Sequence, residues 1–338
     1  MAQMSEMKDA VAKVGRIPWW VKTVAPLLIS AGILYYYLHN ENWGALWAAM
    51  AQSYIPLAVL ALVITQLCFW CFDSLATHRA IVWFHGPFSF RAIFRVKGAT
   101  FLLSMVSGPL QAGGMLAFIL KKTDVTIRKF IGMMLFKVGL GAWGFNVYIT
   151  IATAAACYYH LDIAKHINLW IWWGLIIGGQ VWLIEAWLFW HHGVNIGFSR
   201  FIVNRESEFW SAWVQAKRRH WCLMWAMTLP SYLSLFLGYY IIAVSFNIHV
   251  PFWKFMAMIP LVVGISNLPV AFGGYGTTTL AWVTFFPEYG TPERLAAISL
   301  FIPTAKMLCR AIIGVVNLPS VLKDLTNSPS PIDTDGDR

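Results

Sequence analysis

Residues 98–120 read GATFLLSMVSGPLQAGGMLAFIL. The run is apolar enough to enter a bilayer, yet Gly108-Pro109 and Gly113-Gly114 interrupt it with residues that suit a continuous helix poorly. Basic residues stand on both sides: Arg91, Arg95 and Lys97 before it, and Lys121, Lys122, Arg128 and Lys129 after it. Lys and Arg collect on the cytoplasmic side of a membrane protein. Both flanks are therefore expected on that side. The stretch is predicted to enter the membrane, turn near Ser107–Gly114 and come back.

A second run has the same build. Residues 255–286 read FMAMIPLVVGISNLPVAFGGYGTTTLAWVTFF. Its flanks hold only Lys254 and Arg294, so it is expected to enter and return from the outer side. Pro109-Leu-Gln-Ala-Gly113-Gly114 and Pro269-Val-Ala-Phe-Gly273-Gly274 share the pattern P-x-x-x-G-G, 160 positions apart. Irregular backbone inside a membrane is tolerated where it lines a cavity or is buried in protein. Interrupted segments at corresponding places in two halves point to a transport site. The alternative is Gly-rich close packing of helices.

Composition agrees with a membrane setting. Of 338 residues, 59% are hydrophobic and 12% charged, and the mean hydropathy is +0.61. A soluble domain carries roughly a quarter charged residues, so polar surface here is too scarce to cover a water-soluble globule. Nineteen Trp and twelve Tyr suit two interfacial belts. Six runs are long enough to cross: about 19–38, 54–77, 130–157, 168–190, 221–246 and 295–317. The basic loops then place both termini in the cytoplasm. The expected fold is an all-α polytopic membrane protein. It has about six full crossings and two Pro/Gly-broken re-entrant hairpins, in two inverted-repeat-like halves. Residues 1–18 form a cytoplasmic segment, 19–317 the transmembrane domain and 318–338 a disordered cytoplasmic tail. No cleaved signal precedes the first run. The net charge of +10 fits an anionic inner leaflet rather than nucleic acid. A bacterial cytoplasmic (inner) membrane is expected.

Charges inside the apolar runs come next. Lys137 lies eight residues past Lys129, about 12 Å along a helix, and Lys306 twelve residues past Arg294, about 18 Å. Burial at that depth demands a partner or water. Two ammonium groups could bind a lipid phosphate as point charges. The alternatives are snorkelling, or pairing with Glu185 or Asp73. Glu185 is the deeper carboxylate and the expected internal counter-charge. Arg310 and Asp73 are expected nearer the cytoplasmic interface. Five cysteines, including Cys68-x-x-Cys71, carry no sign of a metal site or disulfide. No nucleophile elbow, HExxH or P-loop is present, so no enzyme and no cofactor is expected.

The two breaks together resemble the flippase-like family named after the transmembrane region of lysylphosphatidylglycerol synthase. The segment LPVAFGGYG is similar to that family's P-x-S-P-G-G-L-G-V-R-E motif, with Pro269, Gly273, Gly274 and Gly276 at matching places. The segment SGPLQAGGMLAFILKK is similar to its P-G-R-L-G-E-L-x-R-x-x-L-L motif, with Pro109 and Gly113 matching. Lys137 falls where the family has an Arg. Gln111, Gly114 and Ala117 replace its Arg, Glu and Arg, and Thr278 and Thr279 replace its Arg-Glu pair. The resemblance spans roughly residues 19–317. It implies lipid translocation, with neutral groups where the family places ion pairs. No soluble aminoacyltransferase domain is expected after the last helix.

The resulting expectation is a lipid transporter or flippase that moves a phosphate-bearing lipid, with an anionic headgroup as partner. Its lipid-binding residues would be Pro109, Gln111, Gly113, Gly114, Lys137, Glu185, Pro269, Gly273, Gly274, Gly276, Thr278, Thr279, Lys306 and Arg310. A membrane transferase acting on a lipid-linked substrate and a non-catalytic membrane scaffold are the competing readings.

Overall fold

A helix that is apolar around its whole circumference has no face for water and needs protein or lipid on every side. Several helices here are of that kind. The structure is a computed structural model that describes Tyr35 and residues 43–105, 108–123, 125–159, 169–194, 197, 206–266 and 275–326. The described residues are helical, with no strand among them. In order, the helices are α1 (Trp43–Ala51), α2 (Ile55–His85), α3 (Phe90–Ser104), α4 (Gly108–Lys122), α5 (Ile127–Tyr158) and α6 (Leu169–His192). A 3-10 turn (Glu208–Trp210) follows, then α7 (Ser211–Gln215), α8 (Arg218–Ser245), α9 (Phe252–Ser266), α10 (Tyr275–Phe285) and α11 (Pro292–Thr326).

Among the described residues, α2, α5, α8 and α11 are long and apolar enough to cross a membrane. They hold 31, 32, 28 and 35 residues, or about 42–52 Å each, against a hydrocarbon core of about 30 Å. The 24-residue α6 coincides with the run expected at 168–190. The run expected at 19–38 lies outside the described residues except for Tyr35. The last helix continues past residue 317 to Thr326, with Lys323 in its final turn beside the negative end of the helix dipole.

The chain forms two compact units, each built from several stretches. The smaller holds Met1–Ile55, Ala243–Val250 and Leu261–Pro303; the larger holds Pro56–Ile242, Pro251–Pro260 and Thr304–Arg338. In the smaller unit Asn247, two residues past the end of α8, is in the left-handed region at φ 57°, a conformation Asn tolerates after helix C-termini. The turn is tied by the Tyr54 N–H donating to Ser245 O at 2.8 Å. Phe246, Ile248, Trp282 and Phe286 form a fully enclosed apolar centre. The Thr277 hydroxyl donates to Ser266 O at 3.2 Å, which brings the start of α10 to the end of α9.

In the larger unit the core gathers around Phe136 on α5. Phe84, Trp213 and Trp221 meet its ring nearly edge-on at 5.2–5.6 Å, the geometry that aromatic quadrupoles favour. Thr126 caps α5, its side chain accepting from the Lys129 N–H. The Thr126 hydroxyl also donates to Glu208 at 2.8 Å, which holds the 3-10 turn beside the helix start. There Gly132 meets the carbonyl oxygen of Phe209 directly, leaving no room for a Cβ.

The first interrupted run folds as α3 followed by α4, two 15-residue helices packed on each other. At about 22 Å apiece, neither is long enough to cross alone. The interruption lies earlier than expected: α3 ends at Ser104 and α4 starts at Gly108, so Gly113 and Gly114 are helical. Gly108 and Pro109 occupy the first turn, where a missing N–H breaks no helical bond. Gly114 faces Leu103 and Thr100, so α4 can close onto α3. Gly98 on α3 lies where a Cβ would come within 2.7–2.8 Å of Asn317 and Trp70. These glycines act as contact surfaces between helices rather than as breaks.

A substitution pair tests this packing. Gly132→Ala is expected to destabilise the protein by about 2–3 kcal/mol through overpacking against a fixed carbonyl. Gly113→Ala, with nothing within 4 Å of the added carbon, is expected to be neutral or to stabilise by about 0.5 kcal/mol through helix propensity. Thermal or denaturant unfolding in detergent compares the two.

Candidate functional site

Helix α2 sets the site. Gln66, Asp73 and Thr77 follow one another at intervals of seven and four residues, so they share one face of an otherwise apolar helix. Trp70 lies on the same face and donates its indole N–H to Phe94 O at 3.0 Å. Its ring stacks on Phe94 at 3.8 Å. That anchor sets α3 against α2 and delivers Lys97 to Asp73.

Asp73 then receives two lysines. Lys97 from α3 pairs with one carboxylate oxygen and Lys137 from α5 with the other. Lys137 also donates to the Thr77 hydroxyl at 2.8 Å. The lysines are 7% and 6% exposed, so the pairs are shielded from solvent. Two ammonium groups on one carboxylate leave a formal charge of +1 in the interior. The arrangement corrects two expectations. The counter-charge of Lys137 is Asp73 rather than Glu185, and Asp73, expected only as an interfacial group, pairs with two lysines. Glu185 is buried on α6 with its carboxylate beside Gly197. Helix azimuth decides between the two acids: Asp73 shares its face of α2 with Thr77, to which Lys137 also reaches.

Two turns back along α2 from Asp73, Gln66 accepts from Arg310 Nε at 3.2 Å. The rings of Phe69 and Phe101 lie 5.9 and 5.3 Å from the guanidinium carbon, within cation–π range. Lys306 precedes Arg310 by one turn on α11, so the two cations are neighbours on one face. Asp73 and Arg310 are within electrostatic reach of each other. Lys97, Lys137 and Arg310 thus converge on the polar face of α2, with Lys306 one turn from Arg310.

The other expected site residues are placed as follows. Pro109, Gln111, Gly113 and Gly114 lie in the first two turns of α4, with Gln111 half-buried and Gly113 exposed. Pro269, Gly273 and Gly274 lie outside the described residues. Gly276, Thr278 and Thr279 are buried in α10, in the smaller unit. There Thr279 and Ser299 share a hydroxyl hydrogen bond at 2.9 Å. In the larger unit the structure brings Lys137 and Arg310 to α2, with Lys306 one turn from Arg310. Asp73, Lys97, Gln66 and Thr77 join them, none of which was expected at the site. The i, i+7, i+11 spacing of polar residues on α2 is the sequence signal that points to Gln66, Asp73 and Thr77.

A second polar group ties α5 to α6. Gln180 Oε1 accepts from Trp143 Nε1 at 2.9 Å, while Gln180 Nε2 donates to Asn146 Oδ1 at 2.6 Å and Thr150 Oγ1 at 3.1 Å. Every donor and acceptor of that amide is engaged, as a scaffold contact requires. No protein-family model and no curated protein matches the chain.

Two substitutions separate cluster from scaffold. Asp73→Asn leaves two shielded ammonium groups without their carboxylate and is expected to cost about 3 kcal/mol. Adding Lys97→Met should recover part of that loss. Gln180→Leu is expected to cost about 1–2 kcal/mol by leaving Trp143 and Asn146 unpaired. Unfolding of the single and double variants in detergent measures both, and additivity of Asp73→Asn with Lys97→Met would disprove the coupling.

Proposed function

We propose that this protein is an integral membrane transporter that moves a phosphate-bearing lipid between the leaflets of a bacterial cytoplasmic membrane. The observation that carries the reading is the set of cations Lys97, Lys137 and Arg310 on the polar face of α2, with Lys306 one turn from Arg310, three of the four on long apolar helices. Asp73 neutralises one of them. Uncompensated cations are costly at membrane depth and are kept where a ligand or water pathway needs them.

The short helices support the same reading. The pair α3–α4 is a re-entrant hairpin opening to the cytoplasm, and α9–α10 is its counterpart opening outward. On this reading the chain makes six crossings besides the two hairpins, and both termini are cytoplasmic. The headgroup moves through the polar interior while the acyl chains stay in lipid, and the site is exposed to each side in turn. No covalent step is involved, so the lipid leaves unchanged.

Reconstitution tests this. Proteoliposomes of phosphatidylcholine holding a trace of fluorescent phosphatidylglycerol are treated with a quencher that does not cross the membrane. Loss of the inner-leaflet signal faster than in protein-free vesicles is expected, with the lipid's mass unaltered. Rates equal to protein-free vesicles would sink the transport reading, and a new lipid mass would indicate a transferase instead.

A further inference from the structure

The cations around α2 are of two kinds. Both oxygens of Asp73 are occupied, one by Lys97 and one by Lys137, and Lys137 spends a further donor on Thr77. That cluster is closed. The pair on α11 is open. Among the described residues Lys306 makes no hydrogen bond or ion pair, and Arg310 makes one, from Nε to Gln66. Lys306 and Arg310 are both half-buried rather than fully buried.

Position on the helix rules out an ordinary explanation. Lys306 is fourteen residues from the start of α11 and Arg310 sixteen from its end, so each is about 21–24 Å from the nearer terminus. With a hydrocarbon core of about 30 Å centred on the pair, about 15 Å of it would lie on either side, more than twice the roughly 6 Å reach of a lysine stem. The lateral route is closed as well. Leu308, Ile312 and Val315, 60–66% exposed, form the outward side of α11. At 100° per residue they lie opposite Lys306 and Arg310. The two cations face the interior of their unit.

We infer that Lys306 and Arg310, with Gln66 bracing the guanidinium, form a binding site for one phosphate-type oxyanion, and that the Lys97–Asp73–Lys137–Thr77 cluster takes no ligand. The chemistry matches. A guanidinium held at Nε keeps its terminal N–H groups aligned for two oxygens, and the ammonium one turn away adds a point charge. Gln66 accepts and so cannot neutralise the arginine. With two formal charges and no carboxylate of its own, the site favours a ligand of net negative charge over a zwitterion. The phosphate could belong to an anionic lipid headgroup or be free in solution. Its assignment to a lipid rests on the transport reading; the anion site does not.

Binding tests this apart from transport. Protein in nanodiscs of phosphatidylcholine is titrated with dihexanoyl phosphatidylglycerol, dihexanoyl phosphatidylcholine and inorganic phosphate, and followed by calorimetry. The phosphatidylglycerol should bind more tightly than the phosphatidylcholine. Lys306→Gln and Arg310→Gln should each weaken it by about tenfold or more, the loss expected for one charge-assisted hydrogen bond. Arg310→Lys keeps the charge, removes the fork and should weaken it by less. Lys121→Gln, at an exposed position on α4, should leave it unchanged. Unfolding midpoints establish that each variant is folded, and Arg310→Lys carries the test if the neutral variants are not. Competition by inorganic phosphate at the same site upholds the site with free phosphate as occupant; no competition upholds it with the lipid. Unchanged affinity in the folded α11 variants, equal binding of both lipids, or no binding of any probe overturns the inference. Wild-type lipid transport by Lys306→Gln/Arg310→Gln would overturn the assignment of the site to the transported lipid while leaving the transport reading intact. Phosphate binding without lipid movement would do the reverse.

Discussion

The carboxylate of Asp73 holds the interior of the larger unit in register. Its two oxygens reach two helices, α3 through Lys97 and α5 through Lys137, from a third, α2. Helices surrounded by lipid gain little from burying apolar surface against one another, because lipid tails are as apolar as leucine. Specific polar contacts then fix which helix faces which. An ammonium with no partner at that depth is costly, so an arrangement that separates either lysine from Asp73 is disfavoured. The carboxylate excludes alternative packings more than it adds net stability, since desolvating three charges consumes much of what their attraction supplies.

Close approach completes what the charges begin. Lys97 reaches Asp73 because α3 lies tight against α2, and it lies tight because Gly98 accepts Trp70 and Asn317 at that point. Gly114 does the same for α4 against α3, and Gly314 for α11 against Leu102. Small residues and buried charge therefore work as one device. The glycines bring the backbones near, and the ionic contacts need them near. The satisfied amide of Gln180 fixes α6 to α5 in the same manner without any charge.

Much of this is legible in the sequence, and the remainder is illegible for a definite reason. Composition and run length point to a helical membrane protein, and Gly108-Pro109 marks the separation of α3 from α4 nearly in place. Gly113 and Gly114 mislead because glycine has two uses, breaking a helix and letting another approach, and only the neighbour tells which applies. Lys137 announces that it needs a partner but not which one. Asp73 and Glu185 both sit in apolar helices, and the choice depends on how the helices are rotated about their axes. Lys97 is read as a loop cation because it adjoins Arg91 and Arg95, whereas the start of α3 at Phe90 carries it inward. The stripe Gln66, Asp73, Thr77 is visible to anyone who places residues 55–85 on a helical wheel.

The position of Lys306 and Arg310 at mid-length of α11 has an electrical consequence. A living membrane holds a voltage, and an elementary charge crossing all of it changes energy by about 2.3 kcal/mol per 100 mV. Fixed charges near the middle of a long helix sit within that field, unlike charges in the headgroup layer. Movement of α11 along the membrane normal does electrical work in proportion to the charge it carries. An empty pair carries two positive charges, and a pair holding a singly charged anion carries one. On the anion-site proposal, occupancy would change how strongly the voltage pulls on the helix, and the membrane potential would favour different positions for the empty and the loaded protein.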